Sequence, residues 1–436
     1  MPTFGFSFLY LLEEANIKRL ALIFVLVSSY AETMKISPED AVRMALENNL
    51  DSKNAEYKEK IKKLYKDNSW NVFVPNLGAS ANLSRSSSSI PNAEERDYWG
   101  LGFGVSAGFT ISPSVLKKIQ LTVLDYENAK IDREKAVKNI RLGVLKMYNQ
   151  LIALKSTLKV FEIQLKNSKL KFEQARISYD NGLLSEIDYL DAKLKYAKAQ
   201  PALDEQVINF EKLKEGFKLL VGLDALQDFE TIGELSDEIL DFSLFNEVID
   251  INEQLDVKTL NNSYKIVQKS LDAIWLDTFL PSFSFSLSYA PSISFSSNSS
   301  GLLKNGFSAS LGLKYNLTEI LPFSKSFTNI WDKDYQLEIV KNQVANKIRE
   351  FKSNIIHKRK DVRKYKSILD ASKMNLELAR KNYQLAFDSF NAGAIDLLKF
   401  NDIEFTYKQS DLQFIRDKLN YSNAILEYKD LISALD

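Results

Sequence analysis

Residues 99–111 read Trp-Gly-Leu-Gly-Phe-Gly-Val-Ser-Ala-Gly-Phe-Thr-Ile, with apolar side chains alternating with glycine, serine and threonine. A period of two predicts a β-strand, because successive side chains of a strand point to opposite faces of the sheet. The non-apolar face carries no charge, whereas a water-soluble hairpin would normally expose charged side chains there. Strands of about 9–11 residues with one apolar and one small, polar face are typical of transmembrane β-barrels.

Three other segments show the same alternation, so we predict four strands in two hairpins. The strands are placed near 76–84, 98–111, 281–289 and 306–317, with loops at 85–97 and 290–305. Four strands cannot close a membrane barrel, and open sheet edges are not tolerated in hydrocarbon. Three copies around a threefold axis would supply twelve strands. The alternative interpretation is a soluble β-subdomain.

Prolines lie where the pattern changes between helix and strand. Pro75 and Pro281 precede the predicted hairpins, and Pro113 and Pro322 follow them. Proline has no N–H to donate within a helix or a central strand, so these positions favour transitions between elements.

Two long helical stretches carry an apolar register with alternating spacings of three and four residues, which is typical of a coiled-coil seam. The first runs from Val137 to Tyr179, and the second from Ile348 to Phe390, at a constant offset of 211 residues. The segment 114–179 alone would be roughly 100 Å long as a helix. We therefore predict an internal duplication, with a first repeat at 32–225, a linker at 226–247 and a second repeat at 248–436.

The amino-acid composition excludes several classes of function. Lysine plus arginine equals aspartate plus glutamate at 57 each, so no net field favours nucleic acid. The chain has no cysteine and one histidine, His357, which excludes thiol catalysis, disulfides and any site that needs two histidines. No catalytic constellation is recognisable, and we predict neither an enzyme nor a bound cofactor or metal.

The N-terminus has the pattern of an export signal. Lys18 and Arg19 precede the apolar run 20–27, and small residues follow at 29–31. We predict a signal peptide at 1–31, the alternative being a buried N-terminal helix. No other run of about 20 apolar residues exists, so we do not expect a helical membrane protein.

Two motifs resemble those of TolC-family outer-membrane efflux proteins. The stretch 36–49, Ile-Ser-Pro-Glu-Asp-Ala-Val-Arg-Met-Ala-Leu-Glu-Asn-Asn, resembles the start of the mature family sequence, and 179–192 resembles the tip of its first helical hairpin. The resemblance covers about residues 34–436. It implies an α+β membrane protein that forms a TolC-like homotrimer. Its twelve-stranded β-barrel, with four strands per chain, would cross the bacterial outer membrane and continue as a twelve-helix α-helical barrel in the periplasm.

The resemblance also implies a function and partners. It predicts the outer-membrane channel of a tripartite efflux pump, which passes drugs or other small molecules. Its partners would be a periplasmic adaptor (membrane fusion) protein, an inner-membrane RND or ABC transporter and outer-membrane lipid, without nucleic acid. Three alternatives stay open: a type I protein-secretion duct, a porin that acts without an adaptor, and a non-transporting coiled-coil scaffold.

The positions that correspond to the family's gate residues can be located in this sequence by counting from the tip glycines. In the second repeat its two aspartate positions fall on Lys399 and Asp402, and the first-repeat equivalents are Asp188 and Asp191. Each pair has i, i+3 spacing, so both side chains share one helix face. Lys399 departs from the family's pattern. The alternative is that these residues are exposed and form surface ion pairs of little energetic value.

The tips themselves are predicted to lock the helices together or to dock an adaptor. The residues are Tyr179, Gly182, Leu183 and Leu184 in the first repeat and Phe390, Gly393, Ala394 and Ile395 in the second. Phe390 and Ile395 lack the hydroxyl and guanidinium that the family uses at these positions. The apolar tip residues could instead pack each hairpin against itself. Met147 with Lys358, and Asp188 with Lys399, are matched positions at which the two halves differ.

Overall fold

A computed structural model describes residues 34–88, 96–235, 245, 250–296 and 299–432 of the chain. The predicted signal peptide and half of the predicted linker lie outside these residues. The helices are α1 (Pro38–Asn48), α2 (Leu50–Asp67), α3 (Val115–Asp180), α4 (Glu186–Val221), α5 (Leu255–Phe279), α6 (Lys325–Asn391) and α7 (Leu397–Leu431). The strands are β1 (Met34–Ile36), β2 (Asn76–Ser88), β3 (Arg96–Ile111), β4 (Phe229–Thr231), β5 (Ser282–Tyr289), β6 (Ser292–Ser296), β7 (Ser299–Lys304) and β8 (Phe307–Lys314).

The chain divides into two compact units. The first unit takes its described residues from 1–53, 136–249 and 353–436, and the second from 54–135 and 250–352. Each unit therefore draws on both predicted repeats, and the long helices α3 and α6 contribute to both units. The repeat boundaries at 32–225 and 248–436 stay a prediction about the duplication of the sequence.

The sheet of the second unit is an antiparallel meander of four long strands. β3 pairs with β2 on one side and with β5 and β6 on the other. β5 and β6 continue one register along β3, since Val105 lies opposite Tyr289 and Gly102 opposite Ser292. β8 pairs with β5, and β7 pairs with β6 in the continuing register as far as Ser294, after which the pairing shifts before Ser296. The predicted four strands are thus present, two of them interrupted near their middle.

The predicted loop at 290–305 was wrong. Residues 292–296 and 299–304 are strands, and 85–88 and 96–97 likewise extend the first hairpin into its predicted loop. Pro291 concealed the continuation, because proline lacks the N–H that a ladder position needs. Its carbonyl still accepts a hydrogen bond from the Phe103 N–H at 3.0 Å, and Ala290 N–H donates to the Gly306 carbonyl at 2.7 Å.

The two faces of the sheet differ as the alternation predicted. Cross-strand pairs such as Phe285 with Leu311 lie on the apolar face, which is open to the surroundings: Leu77 is 78% and Leu311 69% exposed. The other face carries small side chains that lie close together. A Cβ atom added at Gly102 would lie 2.5 Å from Asn82 Oδ1. Glycine at this position therefore lets the polar face pack closely.

The first unit has an apolar core around the middle of α3. Val144, Leu151 and Phe217 are fully buried there, beside the parallel pair of β1 and β4. The Tyr148 hydroxyl lies 2.8 Å from the Ile36 carbonyl and accepts a hydrogen bond from the Ile232 N–H at 3.0 Å. This buried hydroxyl ties both short strands to α3, since their backbone groups need partners once buried.

The matched positions Met147 and Lys358 carry different residues because their neighbours differ. Met147 lies beside Gly216, whose added Cβ would be 4.0 Å from the Met147 Cε. The residues 211 positions later are Lys358 and Glu427, and they form an ion pair. Burial favours protonation of Glu427, but hydrogen bonds from Lys146 and Lys358 outweigh it and lower the pKa of this carboxyl group. A glycine contact in one repeat is replaced by a charged contact in the other.

None of the described helices combines the length and the apolar character needed to cross a bilayer.

Candidate gate at the hairpin tips

Both helical hairpins reverse direction through the same backbone motif. α3 ends at Asp180, and Gly182 follows with a φ of 72°. The Leu183 N–H donates to the Ser178 carbonyl at 2.8 Å, and the Gly182 N–H to the Tyr179 carbonyl at 2.9 Å. This is a Schellman motif, which needs the left-handed conformation that glycine adopts without strain. The second hairpin repeats both bonds, from Ala394 to Ser389 and from Gly393 to Phe390, with a φ of 71° at Gly393.

Ser185 caps the helix that follows the first tip. Ser185 Oγ accepts a hydrogen bond from the Asp188 N–H at 3.2 Å and donates to Asp188 Oδ2 at 2.6 Å. The first of these bonds satisfies a backbone donor that a helix N-terminus leaves unpaired. Asp191 forms an ion pair with Lys195 at 2.7 Å, one turn further along α4. Both acidic residues predicted for the gate in this repeat are therefore engaged within their own helix.

The second tip is capped differently. Asp396 accepts a hydrogen bond from the Lys399 N–H at 2.8 Å, so Lys399 occupies the position of Asp188 but has no carboxylate to accept a bond from the capping residue. Lys399 and Asp402 are exposed on α7. Neither side chain forms an ion pair with any residue that the structure describes. These two charges are available for another contact.

A ladder of four aromatic rings joins the two arms of the first hairpin. Tyr179 on α3 stacks on Tyr189 of α4, with ring centroids 4.9 Å apart. Phe172 on α3 lies 6.0 Å from Tyr189 and 5.6 Å from Tyr196. These distances fall in the range in which aromatic pairs attract one another beyond the burial of their area.

The second hairpin repeats the ladder at the offset of 211. Phe390 stacks on Phe400 at 5.0 Å, and Tyr383 lies 5.8 Å from Phe400 and 5.2 Å from Tyr407. Phe390 needs no hydroxyl for this contact. The sequence reasoning missed the ladder, although aromatic residues recurring at one offset on both arms were a readable signal.

A buried ion cluster, also missed from the sequence, connects the two hairpins. Lys171 of α3 forms an ion pair with Glu404 of α7, and its ammonium nitrogen lies 4.4 Å from the centre of the Phe400 ring. Lys408 approaches the same carboxylate at 3.1 Å. Lys171 and Glu404 are 233 residues apart, so no local pattern of sequence could have paired them.

Known proteins share this fold. Residues 41–205 match the family described as outer membrane efflux protein. The structure resembles the CmeC outer membrane channel of Campylobacter jejuni, with a TM-score of 0.77 and 14% identity, over 91% of this chain and 85% of that one. A search of curated protein sequences finds no match.

Two further channels have the same fold as this chain. The Vibrio cholerae protein VceC gives a TM-score of 0.71 at 12% identity, over 91% of this chain and 95% of that one. The open-state MtrE channel of Neisseria gonorrhoeae gives 0.70 at 15% identity, over 92% and 89%. The TolC-like α+β fold predicted from the sequence is confirmed.

The matched segment and the shared fold are those of outer-membrane efflux channels. Across the described residues, no group of three or more histidine, cysteine, aspartate or glutamate side chains could hold a metal ion. The gate and docking roles assigned from the sequence stay predictions.

The first hairpin tip presents an apolar surface. Leu183 and Ile187 are each 80% exposed, and Leu190 is also exposed. Leu184 and Ile395 are half-buried, and Ala394 is exposed. An exposed apolar patch of this kind on a folded protein suits the binding of a partner.

Proposed function

We propose that three copies of this chain form the outer-membrane exit duct of a tripartite efflux pump. The observation that carries this proposal is the four-stranded sheet, whose apolar face is exposed and whose two outer strands pair on one side only. Within the described residues, β2 pairs with β3 alone, and β8 with β5 alone. A lipid-exposed sheet requires partners for both edges.

Ring closure supplies those partners. Four antiparallel strands place β2 and β8 in opposite directions, so β8 of one copy can continue antiparallel onto β2 of the next. Three copies then give twelve strands, an even number as in other bacterial barrels. β2 and β3 have 13 and 16 residues, more than the 9–11 needed to cross a bilayer. The apolar face would meet lipid, and the serine and glycine face would line the lumen.

The long helices would extend into the periplasm, with the tips facing the inner membrane. The exposed Leu183 and Ile187 support docking of a periplasmic adaptor, which would connect the duct to an RND or ABC transporter. The cargo we propose is drugs or other small molecules, because the side chains on the predicted lumen face are small and uncharged. A type I secretion duct would use the same architecture and would differ in its transporter.

The function test is to extract the full-length protein from outer membranes and reconstitute it in a planar bilayer. We expect extraction only with detergent, a trimer that dissociates on heating, and ion conductance. Replacing Leu311 by arginine should prevent membrane assembly, because arginine at a lipid-facing mid-bilayer position costs about 2–4 kcal/mol in each chain. Lys314→Arg, at the end of the same strand, is the matched control and should assemble.

Two outcomes would contradict this function. A protein that is soluble without detergent would support the scaffold alternative. A conducting trimer that captures no adaptor when crosslinked through Leu183→Cys, in cells that hold its own pump, would support the porin. The natural chain contains no cysteine, so the introduced thiol is the single reactive site.

We further propose that Lys399 and Asp402 line the gate at the periplasmic end. Three copies would form a ring of three lysines and three aspartates, with weak preference for cations because opposite charges offset one another. The support is that both side chains are exposed and have no ion-pair partner in the part of the chain that the structure describes. The roles of Asp188 and Asp191 would be secondary, because both are held within α4.

Reversal potentials measured across a salt gradient test the gate. We expect Lys399→Glu to convert weak selectivity into strong cation preference, since the ring would then carry six negative charges. Lys193→Glu, on the exposed surface of α4, is the control and should leave the reversal potential near the wild-type value. A strong cation preference in the wild type that Lys399→Glu does not change would contradict the assignment.

A further inference from the structure

We propose that two lysine side chains, Lys304 and Lys314, give the lumen of the β-barrel a positive potential, so that the cargo it favours is anionic small molecules. The inference rests on the proposed trimeric channel, in which each lysine recurs three times and forms a ring. It goes beyond that function by naming the charge of the cargo. Rings of lysine or arginine side chains are a general feature of pores that conduct anions.

The strand register places both lysines on the face of serine and glycine. Residues that lie opposite each other on neighbouring strands point to the same face of a sheet. Lys304 of β7 lies opposite Ser292, which in turn lies opposite Gly102. Lys314 of β8 lies opposite Ser282, the first of the alternating serines of β5. Both lysines therefore share the face that would line the lumen.

The two lysines stand far apart along the sheet. Their partners Ser282 and Ser292 are ten residues apart on β5 and β6, which is roughly 33 Å at about 3.3 Å per residue. A strand tilt of about 40° reduces this separation to roughly 25 Å along the barrel axis, about the height of the apolar band of such barrels. One ring would thus lie at each end of the membrane-spanning part of the lumen, with small, uncharged side chains between them.

No carboxylate offsets these charges nearby. Among the described strand residues that share this face, none is aspartate or glutamate. Lys304 and Lys314 are exposed, and neither forms an ion pair with a residue that the structure describes. Low-dielectric walls that carry one sign of charge focus its field and raise the local concentration of counter-ions. The lumen would therefore concentrate anions and exclude cations.

The hydroxyl groups between the two lysines are already bonded to one another. Ser286 Oγ lies 2.7 Å from Ser310 Oγ, and Ser288 Oγ lies 2.8 Å from Ser308 Oγ. A hydroxyl engaged in this way offers a passing molecule a weaker contact than a charged group does. The charge of the two rings, and not hydrogen bonding by the wall, would decide which molecules are favoured.

Thiol-labelling rates can measure this potential without relying on conductance. The natural chain lacks cysteine, so Ser310→Cys provides a single thiol on the lumen face, between the levels of the two lysines. Outer-membrane vesicles that hold the full-length protein would be treated at about 10 mM salt, where the Debye length is about 30 Å. The reagents are a methanethiosulfonate that carries a sulfonate and one that carries a trimethylammonium group. Each rate is divided by the rate of the same reagent with a free thiol in solution.

We expect the anionic reagent to react at least about sevenfold faster, because a potential of one kT raises the local concentration of a monovalent anion about 2.7-fold and lowers that of a cation equally. Lys304→Gln combined with Lys314→Gln should abolish the difference. Salt at about 1 M, where the Debye length is about 3 Å, should abolish it without any change at the lysines. Lys304→Arg combined with Lys314→Arg keeps the charge and should keep the difference.

Two controls isolate the lumen. Lys193→Gln combined with Lys198→Gln removes the same charge from exposed positions of α4, and the ratio of rates at Ser310→Cys should not change. Leu311→Cys lies one residue further along β8, on the apolar face that would meet lipid. It should react with neither reagent.

The result at Ser310→Cys decides the inference. Equal rates for the two reagents, no reaction with either, or a ratio that survives the loss of both lysines would overturn it. If Leu311→Cys stays unreactive in such a case, the channel function stands and only the anion preference fails. Labelling of Leu311→Cys as fast as that of Ser310→Cys would contradict both, because the apolar face would then be in water.

Discussion

Gly222→Ala is expected to destabilise the packing of α1 on α4 by about 2–5 kcal/mol. Gly222 ends α4 with a φ of 72°, a conformation that costs other L-residues about 1–2 kcal/mol. An alanine Cβ would also lie 2.5 Å from Asn48 Cβ and 2.9 Å from the Asn48 carbonyl carbon. Overpacking against backbone atoms adds typically about 1–3 kcal/mol.

The loss of stability should be confined to α1 and its contact with α4. Asn49 Nδ2 donates to the Leu220 carbonyl at 2.9 Å, a bond that displacement of α1 would break. We expect amide hydrogens of α1 to exchange at least about thirtyfold faster, since each 1.4 kcal/mol is a factor of ten. Hydrogen exchange followed by mass spectrometry in detergent measures this directly.

Gly393→Ala is the matched control for the clash. Gly393 has a φ of 71°, but no atom lies within 4 Å of its added Cβ. Only the conformational cost of about 1–2 kcal/mol applies to it. Equal effects of the two substitutions on their own helices would show that the contact with Asn48 contributes nothing.

Phe400→Ala is expected to loosen the second hairpin by about 3–5 kcal/mol, the usual cost of truncating a buried phenylalanine. Phe400 is 1% exposed and contacts Phe390 and Tyr383 in the ladder. Its removal also takes away the ring beside the Lys171 ammonium. Amides of α7 near this residue should exchange at least about a hundredfold faster, because local opening then costs less free energy and each 1.4 kcal/mol is a factor of ten.

Tyr189→Ala tests the matched ring of the first hairpin. Tyr189 is half-buried, so a smaller cost is expected there than for Phe400. A Phe400→Ala variant whose α7 amides exchange at the wild-type rate would contradict the role assigned to the ladder. A larger effect of Tyr189→Ala than of Phe400→Ala would show that burial does not govern these contacts.

Local features of the fold could be predicted from the sequence because they depend on residues that are neighbours in the chain. The alternation around Phe103 predicted a strand, and the glycines at 182 and 393 predicted the hairpin tips. The predicted loop at 290–305 failed because Pro291 and many serines interrupt the apolar pattern, while the register along β3 continues past them. That register depends on the partner strand, which local pattern does not include.

For the candidate gate, too, the sequence located the residues and the structure showed their contacts. Counting from the glycines located Asp188, Asp191, Lys399 and Asp402, and the structure adds that the first two are held by Ser185 and Lys195. The difference between Met147 and Lys358 was visible in the sequence, but its meaning depended on Gly216 and Glu427 beside them.

The sequence by itself determined the periods and the turns, because strand alternation, helical registers and glycine conformations arise from neighbouring residues. Only the tertiary structure decided which charges meet. Lys171 and Glu404 belong to different hairpins, and the energy of an ion pair depends on distance and burial in space. Chain folding alone brings these side chains together.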